Sequence, residues 1–537
     1  MILLNSFLSK YSTYLILFLI ILLGFGVRVY KIDQSPPSLN WDEASVGYNA
    51  WSVANYGQDE WGKHLPIYFK AFEDDKHPIH LYITAIFIKA FGLSDFTVRL
   101  PSAVFGVFCI FGIFFLMQEL FLSQVCALFA ALLLAISPLN IHFSRFNHEL
   151  NFVFFFFILG LIFFLRSFRK KREIILSLLF FGIDLLVYPT AIVIGIPFMI
   201  LLWLLYIPEL RRNLWNLFLA AFIYIVFIII IFLNPQLYGS ARASQTGFSK
   251  EIIERTSIYK STKNTTLARI EIALNQYPLH FNYDFLFGTG DKNPRLSDRV
   301  VGEFYILDLV GIILGLLFLL KAFSRKTILL LSLFLLSPLP SALTSEAPHA
   351  SRSMFMCLSV VLISALGFGK LIDSLRAHSF KWIAGILIVL CYGYLFSSYQ
   401  FQYYSSYPKR YGLDWQYGMK QVTSFISSNP QYGLVHMTDV RDQPYIFFLY
   451  YLKVKPELFL RTVEYNRTNQ RGASLVTFFD KYYFERVDLM TLKPQTQALY
   501  ILSPSEYDGL RYKSEFKLLE TVKYPDKADA FFLLTAK

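Results

Sequence analysis

Charge is scarce in this chain: Asp, Glu, Lys and Arg supply only 16% of its 537 residues. With 55% of the residues hydrophobic and 18% aromatic, a water-soluble globule would have too little polar surface, so that class is excluded. Cysteine is scarcer still. Cys109, Cys126, Cys357 and Cys391 all fall inside apolar runs, which argues against a disulfide framework or a cysteine-rich metal site. A small-residue cleavage site is missing after the first apolar run, which continues through Val27, Arg28 and Val29, so no signal peptide is expected. Repeats and low-complexity tracts are missing too. Acids are outnumbered, 38 against 50 basic residues, but much of the net charge of +12 sits in short loops between apolar runs. It reads as a topology signal, and no nucleic-acid partner is expected.

What the chain does have is apolar segments long enough to cross hydrocarbon. Spans are expected near 13–30, 97–117, 123–139, 150–166, 174–188, 190–206, 214–233, 304–320, 327–342, 353–371 and 382–397, about eleven in all. The basic loops near 166–172, 211–212, 321–326 and 376–381 then share one side, read as cytoplasmic. The segment 79-IHLYITAIFIKAFG-92 is short for a span and carries His80 and Lys89, so it reads as an interfacial helix. The N-terminus falls inside, and loops 31–96, 139–149, 234–303 and 343–352 fall outside. Residues 398–537 change character, with YGLVHMT, SLVTFFD, ALYILS and DAFFLLT separated by polar stretches. The expected architecture is mainly α: a polytopic transmembrane helix bundle over 1–397, then a small external α/β domain over 398–537.

The external loops hold the unusual polar residues. In 40-NWDEASVGYNAWSVANYG-57, Asn40 can cap a helix over 41–56, Glu43 stands at the capping-box position and Gly57 can end it. Asp42 and Glu43 are then either dipole and cap residues or chemistry. The stretch 63-KHLPIYFKAFEDDKHPIH-80 adds Lys63, His64, Lys70, Asp74, Asp75, Lys76 and His77, and Lys76 can snorkel or meet a lipid phosphate. Further on, 137-SPLNIHFSRFNHELN-151 sets Arg145, His148 and Glu149 against an apolar run, and 345-SEAPHASRS-353 sets His349 and Arg352 at a span entrance. Acids and cations thus gather in three loops on one side. Asp184, inside an apolar run one turn before Tyr188, reads as an interhelical hydrogen-bonding residue.

An enzyme that glycosylates targets outside needs a donor that has already crossed, such as a sugar on a polyprenyl phosphate. Its site needs a carboxylate to take the acceptor hydroxyl's proton and cations to hold the departing phosphate. The chain resembles the GT-C glycosyltransferases of the protein O-mannosyltransferase and aminoarabinose-transferase superfamily (families 39 and 83). The matching residues are Asp42-Glu43 with Tyr48 behind them, Lys76 and Pro78 in "DDKHP", "FTVRLPSAVFG" over 96–106, "SPLNIHFSRFNHELN" and "APHASR". The resemblance implies inverting transfer from a polyprenyl-phosphate sugar, with Asp42 as base and Lys76 on the carrier phosphate. It departs in having Ala44 and Ser45 where an arginine follows the acid pair, and His77 between lysine and proline. The segment 414-DWQYG-418 only faintly resembles an oligosaccharyltransferase motif and reads as a turn.

The candidate residues are therefore Asp42 and Glu43 as catalytic carboxylates, and Lys76, Arg145, His349 and Arg352 at the donor phosphate. Tyr48, His64, His77, Glu149 and Tyr188 are candidates for substrate binding. The external histidines (His64, His77, His142, His148, His349) lack the spacing of a zinc or calcium site, so no metal or other cofactor is expected to be obligatory, a divalent ion being left open. Expected partners are the polyprenyl-phosphate-linked sugar, a glycan, lipid or protein acceptor, and membrane lipids, with the chain multi-pass in the plasma membrane. The alternative, a transporter or flippase for a lipid-linked sugar, predicts interrupted helices and ionisable residues at midplane.

Overall fold

The computed structural model describes residues 2–72, 74–238, 246–466 and 474–537, with the side chains of 2–10, Asp74 and Tyr238 outside the description. Its helices begin with α1 (Ile2–Val29), α2 (Trp41–Tyr56), α3 (Pro78–Phe91), α4 (Asp95–Phe121) and α5 (Gln124–Ile136). They continue with α6 (Pro138–Ser144), α7 (Leu150–Arg166), α8 (Glu173–Leu185) and α9 (Pro189–Leu205). Two compact units divide the chain: Met1–Tyr30 with Ser102–Tyr403, and Lys31–Pro101 with Tyr404–Lys537. The first long loop thus shares a unit with the C-terminal residues, whereas the sequence reading grouped it with the spans.

In the first unit the usual inside-out rule is relaxed. The helix Leu214–Leu233 is apolar all round and leaves Trp215, Phe218 and Phe232 on its surface, the pattern of a helix solvated by lipid. Among the described residues, five stretches are long and apolar enough to cross a membrane: Tyr11–Val29, Asp95–Phe121, Ile207–Leu233, Phe355–Ser374 and His378–Arg410. A sixth is counted if α5 and α6, bent by 56°, are taken as one. The remaining expected spans fall on shorter helices, among them α7, α8, α9, Ile306–Lys321 and Arg325–Leu336. Phe355–Ser374 is buried along most of its length, and Gly315 and Gly367 let it approach Ile306–Lys321 closely. A Cβ at either glycine would overlap backbone of the other helix.

The α5–α6 bend has a visible support. Pro138 breaks the helix and frees carbonyls at the end of α5. The buried guanidinium of Arg28 donates to the carbonyls of Leu134 and Ala135, to Asn140 Oδ1 at 2.6 Å and to Ser144 Oγ at 3.0 Å. Gly106, which ends the FTVRLPSAVFG stretch, makes room, since a Cβ there would strike Ser144 and Arg28. The loop expected over 139–149 is therefore helical as far as Ser144.

The second unit is built on a seven-stranded sheet. Its strands are β3 (Leu434–Met437), β4 (Glu464–Tyr465), β5 (Val476–Phe479), β6 (Tyr482–Phe484), β7 (Ala498–Leu502), β8 (Phe516–Lys523) and β9 (Asp529–Ala536), following a hairpin of β1 (Phe69–Ala71) and β2 (Asp74–Lys76). The order is β4-β5-β6-β3-β7-β9-β8, with β3 parallel to β6 and β7 and the other pairs antiparallel. All four stretches read from sequence as sheet segments carry strands. The helix Pro444–Tyr451 is buried from Pro444 through Tyr450 and packs on α2. Tyr48, Val98, Phe448 and Phe531 share one core with that helix, which is why the first loop folds with the C-terminal residues.

Candidate active site

In the second unit, the site starts at the first turn of α2. Asn40 Oδ1 accepts from the Glu43 N–H at 3.0 Å, and Gly57 ends the helix in the left-handed region at φ 71°. Pairing of β1 with β2 sets Lys76 opposite Phe69, which is buried against Tyr82. From there Lys76 Nζ meets Asp42 Oδ1 at 2.8 Å, with 10% of the lysine side chain and 39% of the aspartate side chain exposed. Low exposure of the ammonium strengthens its pull on any anion nearby. Glu43 points the other way. Both of its oxygens accept from Arg99, from Nε and Nη2 at 2.9 Å each, with neither side chain exposed. Arg99 also donates to the carbonyls of Ile32, Pro36 and Ser38, and its guanidinium lies 5.8 Å from the Trp415 ring. Gln416 accepts from the Trp41 N–H at 2.8 Å, so the DWQYG segment is a turn that pins the start of α2.

The other expected residues of this unit are placed as follows. Tyr48 is buried and donates from its hydroxyl to the Val454 carbonyl at 3.0 Å. His64 is exposed, and His77 is buried as the N-cap of α3. An unexpected buried acid lies beyond α2: Glu60 accepts from Asn49 at 3.3 Å and from the Trp61 indole at 3.1 Å. Burial, then the neighbouring Asp59 charge, pushes its carboxyl up to about 8.

In the first unit, Arg145 is buried and donates to the carbonyls of Val27, Arg28 and Tyr30, closing the C-terminus of α1. A second polar group runs from the start of α7. His148 Nδ1 lies 3.5 Å from Glu149 and its ring 5.7 Å from that of Tyr188. The Tyr188 hydroxyl is 3.5 Å from Ser351 Oγ, which is 3.2 Å from His349 Nδ1. Arg352 donates to Thr344 at 2.8 Å and to the exposed Glu346 at 3.1 Å. Asp291 accepts from the Ala350 N–H at 2.7 Å, and burial raises its pKa. Asp184 is buried on α8, and its Oδ1 has no hydrogen-bond partner among the described residues, so the interhelical bond expected of it is not seen at that oxygen.

The structure thus gathers Asp42, Glu43 and Lys76 in one unit, and Glu149, Tyr188, His349 and Arg352 in the other. Sequence reasoning assigned nothing to Arg99, Glu60 or Asp291. Arg99 carried a signal, an arginine inside the quoted FTVRLPSAVFG stretch, whereas Glu60 and Asp291 carried none. Among the described residues, no group of three or more His, Cys, Asp or Glu side chains is placed to hold a metal ion.

Comparisons with known proteins bear on the resemblance read from the sequence. Residues 75–238 match the family model described as dolichyl-phosphate-mannose-protein mannosyltransferase. The fold is similar to that of ArnT from Cupriavidus metallidurans in the apo state, with TM-score 0.55, 14% identity and 98% of each chain covered. The same protein bound to undecaprenyl phosphate gives TM-score 0.52, 15% identity, and 96% of this chain against 97% of that one. The Archaeoglobus fulgidus oligosaccharyltransferase tethered with an acceptor peptide gives TM-score 0.55 and 15% identity, covering 98% of this chain and 74% of that one. In another structure of that archaeal enzyme, the chain spans 58% of its relative's length. No curated protein matches the chain in sequence. The likeness read from the sequence is therefore met by both the family model and the fold.

Proposed function

We propose that this protein is an integral-membrane glycosyltransferase. It moves a sugar from a polyprenyl-phosphate donor to an acceptor on the external face of the plasma membrane, with inversion. The observation that carries the reading is the Asp42–Lys76 pair, a half-exposed carboxylate held 2.8 Å from a nearly buried ammonium at a helix start. In the proposed step the acceptor hydroxyl oxygen bonds to the anomeric carbon and Asp42 takes its proton. The bond from that carbon to the carrier phosphate breaks, its electrons leave on the phosphate oxygen, and Lys76 balances the charge. Support for a lipid-phosphate donor comes from the fold shared with a protein whose structure holds undecaprenyl phosphate.

Glu43 is assigned a positioning role, because Arg99 holds both of its oxygens. Arg145 is likewise assigned to α1, whose terminal carbonyls take its donors. Within the first unit, Arg352 and His349 stay as anion-binding candidates, since Glu346, which both approach, is 67% exposed and readily displaced by a stronger anion. Tyr188 and Glu149 stay as substrate-binding residues beside them. The test is transfer from radiolabelled polyprenyl-phosphate sugars in membranes carrying the wild-type protein or Asp42→Asn. Loss of transfer with intact membrane insertion is the expected result; full transfer by Asp42→Asn removes the base assignment. Donor that crosses vesicles without forming product would favour the flippase.

A further inference from the structure

We propose that a cleft in the second unit is the subsite for a saccharide portion of the acceptor, an inference that rests on the transferase reading for its role. The cleft holds about 420 Å³, within the range of small-molecule sites, and is lined by Asp33, Gln34, Asp95, Tyr417, Lys420 and Gln421 among others. Two carboxylates against one ammonium leave it slightly negative, which disfavours a phosphate or another anion. Carboxylates, amides, an ammonium and the phenols of Tyr417 and Tyr451 together accept and donate, which suits hydroxyl groups, since a hydroxyl does both. The Tyr417 ring and the prolines Pro37, Pro408 and Pro525 add the apolar faces against which a pyranose C–H face packs.

Part of the cleft lining is held by hydrogen bonds. Asp95 accepts from Lys420 Nζ at 2.8 Å and from the Tyr450 hydroxyl at 3.3 Å. Arg99 holds the carbonyl of Ser38, another residue of the lining, so part of the surface that would orient a ligand is set beforehand. Ser38 lines the cleft and stands four residues before Asp42, at most about 14 Å of extended chain. An acceptor of several sugar residues seated in the cleft can therefore present a hydroxyl to Asp42.

The experiment is saturation-transfer NMR on the full-length protein in nanodiscs. The probes are maltotetraose, cellotetraose and mannotetraose, with a glycine–serine–threonine peptide of similar length as the other arm. At least one tetraose is expected to bind the wild type and to bind about tenfold more weakly to Tyr417→Ala and to Gln421→Leu, each with an unchanged circular dichroism spectrum. The inference is overturned if no tetraose binds, if only the peptide binds, or if both variants bind a tetraose as the wild type does. Saccharide binding by a protein that transfers no sugar would instead sink the transferase reading and leave the cleft standing.

Discussion

On the outer face of α2, Asp42 keeps 39% of its side chain in solvent and meets Lys76 at 2.8 Å; on its inner face, one residue later, Glu43 keeps none and is gripped by Arg99 on both oxygens. Adjacent helix residues point about 100° apart, so two like acids enter two dielectric worlds. A half-open ion pair can exchange a partner for substrate at little cost. A buried bidentate pair cannot, because opening it strands a desolvated charge. The contrast supports the proposal that the outer acid does chemistry and the inner one holds the architecture.

The largest effect that can break this comparison is on catalysis. Asp42→Asn keeps the shape and removes the proton acceptor, so kcat is expected to fall about 10²- to 10⁴-fold with thermal unfolding unchanged. On the inner face the order reverses. Arg99→Met alone leaves the Glu43 carboxylate buried without its partner and is expected to cost about 3–5 kcal/mol, read as a lower unfolding temperature and reduced yield. The double variant Glu43→Met, Arg99→Met removes both charges and should recover much of that loss. A double variant that folds yet transfers nothing would return Glu43 to the chemistry.

A smaller effect sharpens the outer pair. Lys76→Ala takes one ammonium from the donor phosphate, so donor KM should rise about tenfold or more while acceptor KM stays close to its wild-type value. Equal rises in both would move Lys76 from the phosphate to general support of the site.

The sequence made some of this plain and hid the rest for a physical reason. Caps act within four residues, so the helix over 41–56 with Asn40 and Gly57 at its ends was readable. Short apolar stretches between polar ones marked β3, β5, β7 and β9, and apolar length marked the long helices. The fate of Arg145 was not readable. Its guanidinium closes α1 more than a hundred residues upstream, and nothing near position 145 distinguishes a helix-capping arginine from a phosphate-binding one. The same holds for Arg28, whose partners lie on α5 and α6. Grouping of the first loop with the C-terminal residues also depends on contacts such as Tyr48 with Val454, which no local pattern encodes.

The smallest expected effect lies past the far end of α2, where the inner environment continues to Glu60. Its carboxyl sits at about 8 in the folded protein, above the ordinary glutamate value of 4.5, because burial disfavours the charged form. A raised carboxyl pKa means the folded state holds a proton that the unfolded state gives up. Its contribution to stability is complete below about pH 4.5 and is lost as pH rises through about 8. The unfolding temperature should therefore fall between pH 5 and 8. Glu60→Gln, which has no titrating proton and one carbonyl oxygen to accept from either Asn49 or Trp61, should flatten that drift. An unchanged slope in Glu60→Gln would place the responsible proton elsewhere, with the raised Asp59 beside it the next carboxyl to replace.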